Sequence, residues 1–198
     1  MNEKKPDLEQ ETVVSGKWTF RRFLKEWGDV ILILAAVFLV FRFVLQIAWV
    51  PSGSMETTIP KQSLLLSLRL PYLVADPELE RGDVVTFWSD EMDKLLVKRV
   101  VGLPGDVIAF YGGYLYINGE KLEEPYLQTQ GNTASGNANT FQVPADSYFM
   151  MGDNRGGSDD SRYWAMPYIP DEAVKAKVLM VFSVHKENSW RGIRILAG

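Results

Sequence analysis

Val107-Ile108-Ala109-Phe110-Tyr111-Gly112-Gly113-Tyr114-Leu115-Tyr116-Ile117-Asn118-Gly119 decides how the rest of this chain is read. Two runs rich in apolar and aromatic side chains flank Gly112-Gly113, and Asn118-Gly119 closes the second run. Gly-Gly and Asn-Gly accept the positive φ angles of two-residue hairpin turns, so the stretch predicts a hairpin and a second tight turn. Working outward, Ser63–Leu68, Val84–Trp88 and the β-branched run Leu95–Val101 read as strands, as do Phe141–Met151 and Val174–Val184. Residues 128–140, QTQGNTASGNANT, carry almost no apolar side chains and predict an exposed loop. Short strands punctuated by Gly, Pro and Asn predict a mainly β protein with a single all-β domain, for which 198 residues leave ample core.

Upstream lies VILILAAVFLVFRFVLQIAWV, residues 30–50, interrupted only by Arg42 and Gln46. About 20 apolar residues suffice for a helix to cross the hydrocarbon core of a bilayer. Trp27 and Trp49 bracket the run, and Lys17, Arg21, Arg22 and Lys25 precede it. Cations on that side place the N-terminus in the cytoplasm. Arg42 falls in the outer half, where a long side chain can reach the interface. A cleavable signal peptide would end in small residues at −1 and −3, and Gln46 at −3 from Ala48 does not fit. The expected organisation is a cytoplasmic tail over 1–28, a transmembrane signal-anchor helix over 29–49, and an extracytoplasmic β-domain over 50–198.

Composition narrows the chemistry. A net charge of −4 without a basic cluster in the domain argues against a nucleic-acid partner. With no cysteine there is no thiol nucleophile, thiolate zinc site or disulfide. One histidine, His185, is too few for a usual catalytic zinc, and its polar surroundings mark it as a bystander. Residues 152–164 are dense in Asp, Asn, Gly and Ser but lack the spacing and closing glutamate of a calcium loop. Neither a metal nor a cofactor is expected.

Two stretches carry chemistry. In Pro51-Ser52-Gly53-Ser54-Met55 two hydroxyls flank a glycine directly after the apolar run. In Leu95-Leu96-Val97-Lys98-Arg99-Val100-Val101, strand alternation sets a cation among apolar neighbours on either face. A free lysine titrates roughly 3 units above neutral pH, and burial among apolar groups lowers that value. A neutral amine can take a proton from a serine hydroxyl, whereas a guanidinium stays charged.

These stretches recur in one order with two others: Arg81-Gly82-Asp83-Val84-Val85, and Gly152-Asp153-Asn154-Arg155 leading into Ser158-Asp159-Asp160-Ser161-Arg162-Tyr163-Trp164, while Lys98 itself opens Lys98-Arg99-Val100-Val101-Gly102-Leu103-Pro104-Gly105-Asp106. Together they resemble the bacterial type I signal peptidases (leader peptidases), which are Ser/Lys proteases, over residues 27 to about 182. The resemblance implies a β fold of the signal-peptidase and repressor-protease kind behind one N-terminal transmembrane helix. It implies Ser54 as nucleophile and Lys98 as general base, with Ser52 donating to the oxyanion beside the backbone N–H of Ser54. Ser158 matches a hydroxyl that orients the lysine, Asp160 and Arg162 a supporting ion pair, and Asp153 lies in the same glycine-aspartate turn. Met55 matches a residue that helps shape the substrate pocket. The implied partners are a lipid bilayer and the signal peptides of exported preproteins, cut after small residues at −1 and −3. The implied place is the inner (plasma) membrane, crossed once.

The chain departs from the family pattern at Thr57, where proline is usual, and at Gly156-Gly157, where Asp-Asn is common. Neither change removes a catalytic group. Two other classes fit parts of the sequence: a self-cleaving Ser/Lys domain, which would carry a DNA-binding module rather than a membrane span, and a membrane-tethered β-domain without activity.

Overall fold

A computed structural model describes residues 20–74, 79–183 and 192–196. Residues 1–19 of the expected tail over 1–28, together with Val184 and His185, lie outside them, and the rest of that tail, from Phe20, is helical. Two units are separable, residues 1–38 and residues 39–198.

In the first unit, helix α1 (Phe20–Leu39) carries Arg21, Arg22, Lys25, Glu26 and Asp29 in its first half and is wholly apolar from Val30 to Leu39. With the π-helical turn Val40–Val44 it gives one candidate span, Phe23–Val44, of 22 residues. At 1.5 Å per residue that is about 33 Å, enough for a bilayer core. None of its side chains is buried by protein.

The helix stops before the expected boundary at residue 49. Leu45–Val50 is strand β1, paired in register along its whole length with β2 (Ser63–Leu68). The cause is long-range: β2 takes up β1's backbone groups, and Val50 and Ala48 pack into an apolar cluster with Met55, Ile59, Leu65, Val84, Val178 and Val181. Trp49 is therefore a strand residue opposite Leu64 and not the far bracket of the helix.

The second unit is mostly β. After a short helix α2 (Pro71–Val74) come β3 (Val84–Ser89), β4 (Lys94–Gly102), β5 (Val107–Tyr111), β6 (Tyr114–Ile117), β7 (Glu120–Lys121), β8 (Thr140–Gln142), β9 (Ser147–Met151), β10 (Tyr168–Pro170), β11 (Val174–Ser183) and β12 (Gly192–Ile195). The larger sheet runs β1-β2-β11-β3-β4-β9-β10, with β12 also paired to β11. The smaller runs β7-β6-β5-β8. Its hairpin turns hold Gly112 and Gly113 at φ 60° and 83°, and Asn118 and Gly119 at φ 53° and 87°, the paired positive angles of a twist-matched turn.

The expected strand Phe141–Met151 is two strands, β8 and β9, in different sheets, broken where Asp146 takes φ 59°. Segment 128–140 is mostly exposed, but Thr133 is buried and Thr140 opens β8.

Cross-strand pairing lines up two apolar rows on the outer face of the larger sheet. Trp49, Leu64, Phe182 and Ile193 form one; Ile47, Leu66, Met180 and Ile195 form the other. All eight are exposed or half-buried.

Candidate active site

Three segments meet around β4: the loop after β1, the middle of β4 itself, and the loop after β9. Strand β9 pairs with β4 only from Arg99 onward, so residues 94–98 of β4 have β3 on one side and no strand of the sheet on the other. Lys98 sits at that transition and is 3 % exposed. Its Nζ donates to Ser158 Oγ at 3.0 Å. Burial pushes the amine down to about 8, against the pull of Asp160 and Asp159.

Asp160 does not reach the lysine directly. The Ser158 hydroxyl, which accepts from Lys98, also bonds the Asp160 carboxylate. Asp160 and Arg162 are fully buried and joined by two bonds, from Arg162 Nε at 2.8 Å and Nη2 at 2.9 Å. Gly152 N–H donates to Asp160 as well, at 3.0 Å. Burial would raise this carboxyl, but the Arg162 bond and charge outweigh it and hold Asp160 below the usual carboxylate range. Asp160 thus stays an anion spent on Arg162, and Lys98 meets it only through a hydroxyl.

The neighbouring Arg99 is handled differently. Its Nε and Nη2 grip both oxygens of Asp153 at 2.8 and 2.7 Å. Nη1 donates to the Gly82 carbonyl at 2.6 Å, and the guanidinium lies 3.9 Å above the centre of the Tyr126 ring. Thr58 Oγ1 donates to Asp153 and accepts from Arg99 at 3.3 Å.

Ser54 enters through its backbone. Its carbonyl accepts from Asn154 N–H at 3.0 Å, and the Gly53 carbonyl accepts from Asn154 Nδ2 at 3.0 Å. A Cβ at position 152 would overlap both Ser158 Oγ and the Ser54 carbonyl. Gly152 is therefore what lets the serine loop and the Lys98–Ser158 pair close on each other. Met55 is fully buried under this loop, its Sδ accepting from Asp153 N–H at 3.4 Å. The cleft lining is drawn from other residues.

That cleft, about 160 Å³, is lined by Ser52 and Ser54, by Ala48–Val50 of β1, and by Lys94–Val97 on the unpaired edge of β4, with Leu65 and Thr86 at its floor. Two strand edges face an open slot that ends at the two serines. Ser52 is exposed at its mouth.

A supporting network had no role in the sequence reading. Buried Glu124 takes two bonds from Arg155, at 3.0 and 2.5 Å, and one from the Tyr126 hydroxyl at 2.8 Å. Arg155 also donates to Thr133 Oγ1 and to the Gly152 carbonyl. Arg99 in an apolar run was a signal for such a partner; the Glu124–Arg155 pairing, 31 residues apart, left none. Among the described residues no cluster of His, Cys, Asp and Glu could hold a metal ion.

Residues 24–183 match the family described as signal peptidase, peptidase S26. Signal peptidase I of Pseudomonas fluorescens is 34% identical over 203 residues, covering 82% of this chain and 70% of that protein. Signal peptidase I of Bacillus licheniformis is 37% identical over 147 residues, covering 70% of this chain and 78% of that protein. A solved signal peptidase I from Enterococcus faecalis V583 aligns at a TM-score of 0.43 and 33% identity, over 51% of this chain and 97% of that one. The chain belongs to the signal peptidase family, peptidase S26, and is a serine peptidase of the kind that removes signal peptides.

Proposed function

We propose that the chain is a membrane-anchored endopeptidase that cuts preproteins by a Ser54/Lys98 dyad. The carrying observation is Lys98: an amine buried in an apolar strand, lowered to about 8, and held by a hydroxyl in place of a carboxylate. Near neutral pH about one enzyme molecule in ten then holds a free lone pair there, which an exposed lysine does not offer.

Neutral Lys98 accepts the Ser54 Oγ proton as Oγ bonds to the substrate carbonyl carbon. The carbonyl oxygen becomes an anion, and the Ser54 N–H and Ser52 hydroxyl donate to it. Lys98 returns the proton to the leaving nitrogen, the C–N bond breaks, and an ester on Ser54 remains. Water then attacks the ester carbon, gives a proton to Lys98, and Ser54 leaves with it.

An extended peptide can enter the slot as an added strand between β1 and the free edge of β4. Ala48, Val50, Leu65 and Leu96 give the slot an apolar lining, which suits Ala-type residues at −1 and −3. The span Phe23–Val44 and the two apolar rows support a protein held at a bilayer. Cations ahead of the span favour an outer catalytic domain.

The test is cleavage of an exported preprotein by the purified protein in detergent. Ser54→Ala and Lys98→Ala should each abolish trimming at the Ala-x-Ala site while the fold persists. Normal turnover by Lys98→Ala would refute the base assignment.

A further inference from the structure

The match to the family ends at residue 183, yet the chain returns to the site after it. Strand β12 pairs with the end of β11, Val181 opposite Arg194 and Phe182 opposite Ile193. Alternation turns Ile193 and Ile195 outward, 62% and 68% exposed, and turns Arg194 and Leu196 toward the interior. One residue beyond the Met180–Ile195 pair, the Leu179 carbonyl accepts Leu196 N–H at 2.8 Å. Leu196 packs on the apolar cluster that contains Met55 and Ile59.

Arg194 Nη1 donates to the carbonyls of Thr57 and Thr58, at 3.2 and 3.3 Å. Those carbonyls close the single turn that begins at the serine. In that turn Glu56 N–H donates to Gly53, and Thr58 and Ile59 N–H both donate to Met55. One turn has little stability of its own, and its last carbonyls need partners. The start of the turn is fastened by Asn154 to Gly53 and Ser54. Its end is fastened by Arg194, and Thr58 there links on to Asp153 and Arg99.

We infer that Arg194 is a positioning residue for Ser54, clamping the far end of the nucleophile turn from a strand beyond the family match. The inference rests on the reading of Ser54 as nucleophile. A positively charged donor suits two carbonyls at the end of a helical turn. A shift of about 1 Å in a reacting group costs on the order of 100-fold in rate. Loosening this end moves the serine while Arg194 itself touches neither Lys98 nor the strand walls of the cleft.

The experiment measures preprotein cleavage by the full chain in detergent for Arg194→Ala, Arg194→Gln and Arg194→Lys, with Ser54→Ala alongside. Arg194→Ala should lower kcat about 10- to 100-fold, change KM less than threefold, and leave the pH midpoint where it was. Arg194→Lys, which keeps a charged donor, should recover most of the loss. A wild-type kcat in folded Arg194→Ala, or a loss confined to KM, overturns the inference, as does a lowered melting temperature with normal kcat below it. If Arg194→Ala does not fold, the decision passes to Arg194→Gln, where a wild-type kcat likewise overturns it. An inactive Ser54→Ala beside a fully active Arg194→Ala defeats only the clamp; an active Ser54→Ala defeats the nucleophile reading itself.

Discussion

Lys98 and Arg99 are chain neighbours on one strand, both almost fully buried, and their two surroundings do opposite things with a cation. On the Arg99 side a carboxylate meets the guanidinium through two direct bonds, a carbonyl takes a third, and an aromatic ring covers its face. On the Lys98 side the only described bond is to a hydroxyl, and the nearest carboxylate is already taken by Arg162. The first region fixes its charge; the second lowers the amine to about 8, where it gives up a proton far more readily than a free lysine. Burial alone does not distinguish the two. What separates them is whether an anion is left over.

The largest effect should come from erasing that distinction. Lys98→Arg puts a permanently charged group where the proposed mechanism needs a base and should cut kcat at least about 1000-fold, with near-native circular dichroism. Next comes Arg162→Ala, which strips Asp160 of its partner. A single buried charge left behind costs about 3–5 kcal/mol, to be read from denaturant unfolding. Free to interact with Lys98 alone, Asp160 should also drive the pH midpoint of any residual activity upward from about 8.

A smaller effect tests the cost of burying the Lys98 amine. Folding lowers its pKa from 10.5 to about 8, so the unfolded chain holds the extra proton between those values. The wild-type protein should therefore gain stability as pH rises from 8 to 10.5, and Lys98→Met should not. Below pH 8 Lys98→Met should be inactive but more stable than wild type by about 1–3 kcal/mol. The smallest effect belongs to the other side of the strand. Arg99→Lys keeps a charge but not the two-pronged grip on Asp153, and should cost about 1–2 kcal/mol of stability with an unchanged pH midpoint.

Much of this was readable in the chain. Ser63–Leu68, Val107–Tyr111 and Tyr114–Ile117 form strands with the expected bounds, because alternation and turn residues act locally. The mainly β class follows from them. The family was visible because its motifs bring catalytic residue types together in a fixed order. Leu45–Val50 misled, since LQIAWV is apolar enough to extend a helix, and only Ser63–Leu68 across the loop recruits it as a strand. At the site, the apolar neighbours of Lys98 announced a strained amine. The partners that shape the site, Thr58 to Asp153, Glu124 to Arg155, and Arg194 to the turn after Ser54, join residues 31 to 137 positions apart. No local pattern encodes such pairings.

The assignment of Leu45–Val50 to the sheet fixes where this enzyme can be shortened. Trimming back to Val50, as a hydropathy plot invites, would delete an edge strand and one wall of the slot along with the anchor. A version starting just ahead of Leu45 keeps both, yet still presents Ile47 and Trp49 to solvent. Handling it will call for mild surfactant even with the spanning helix gone.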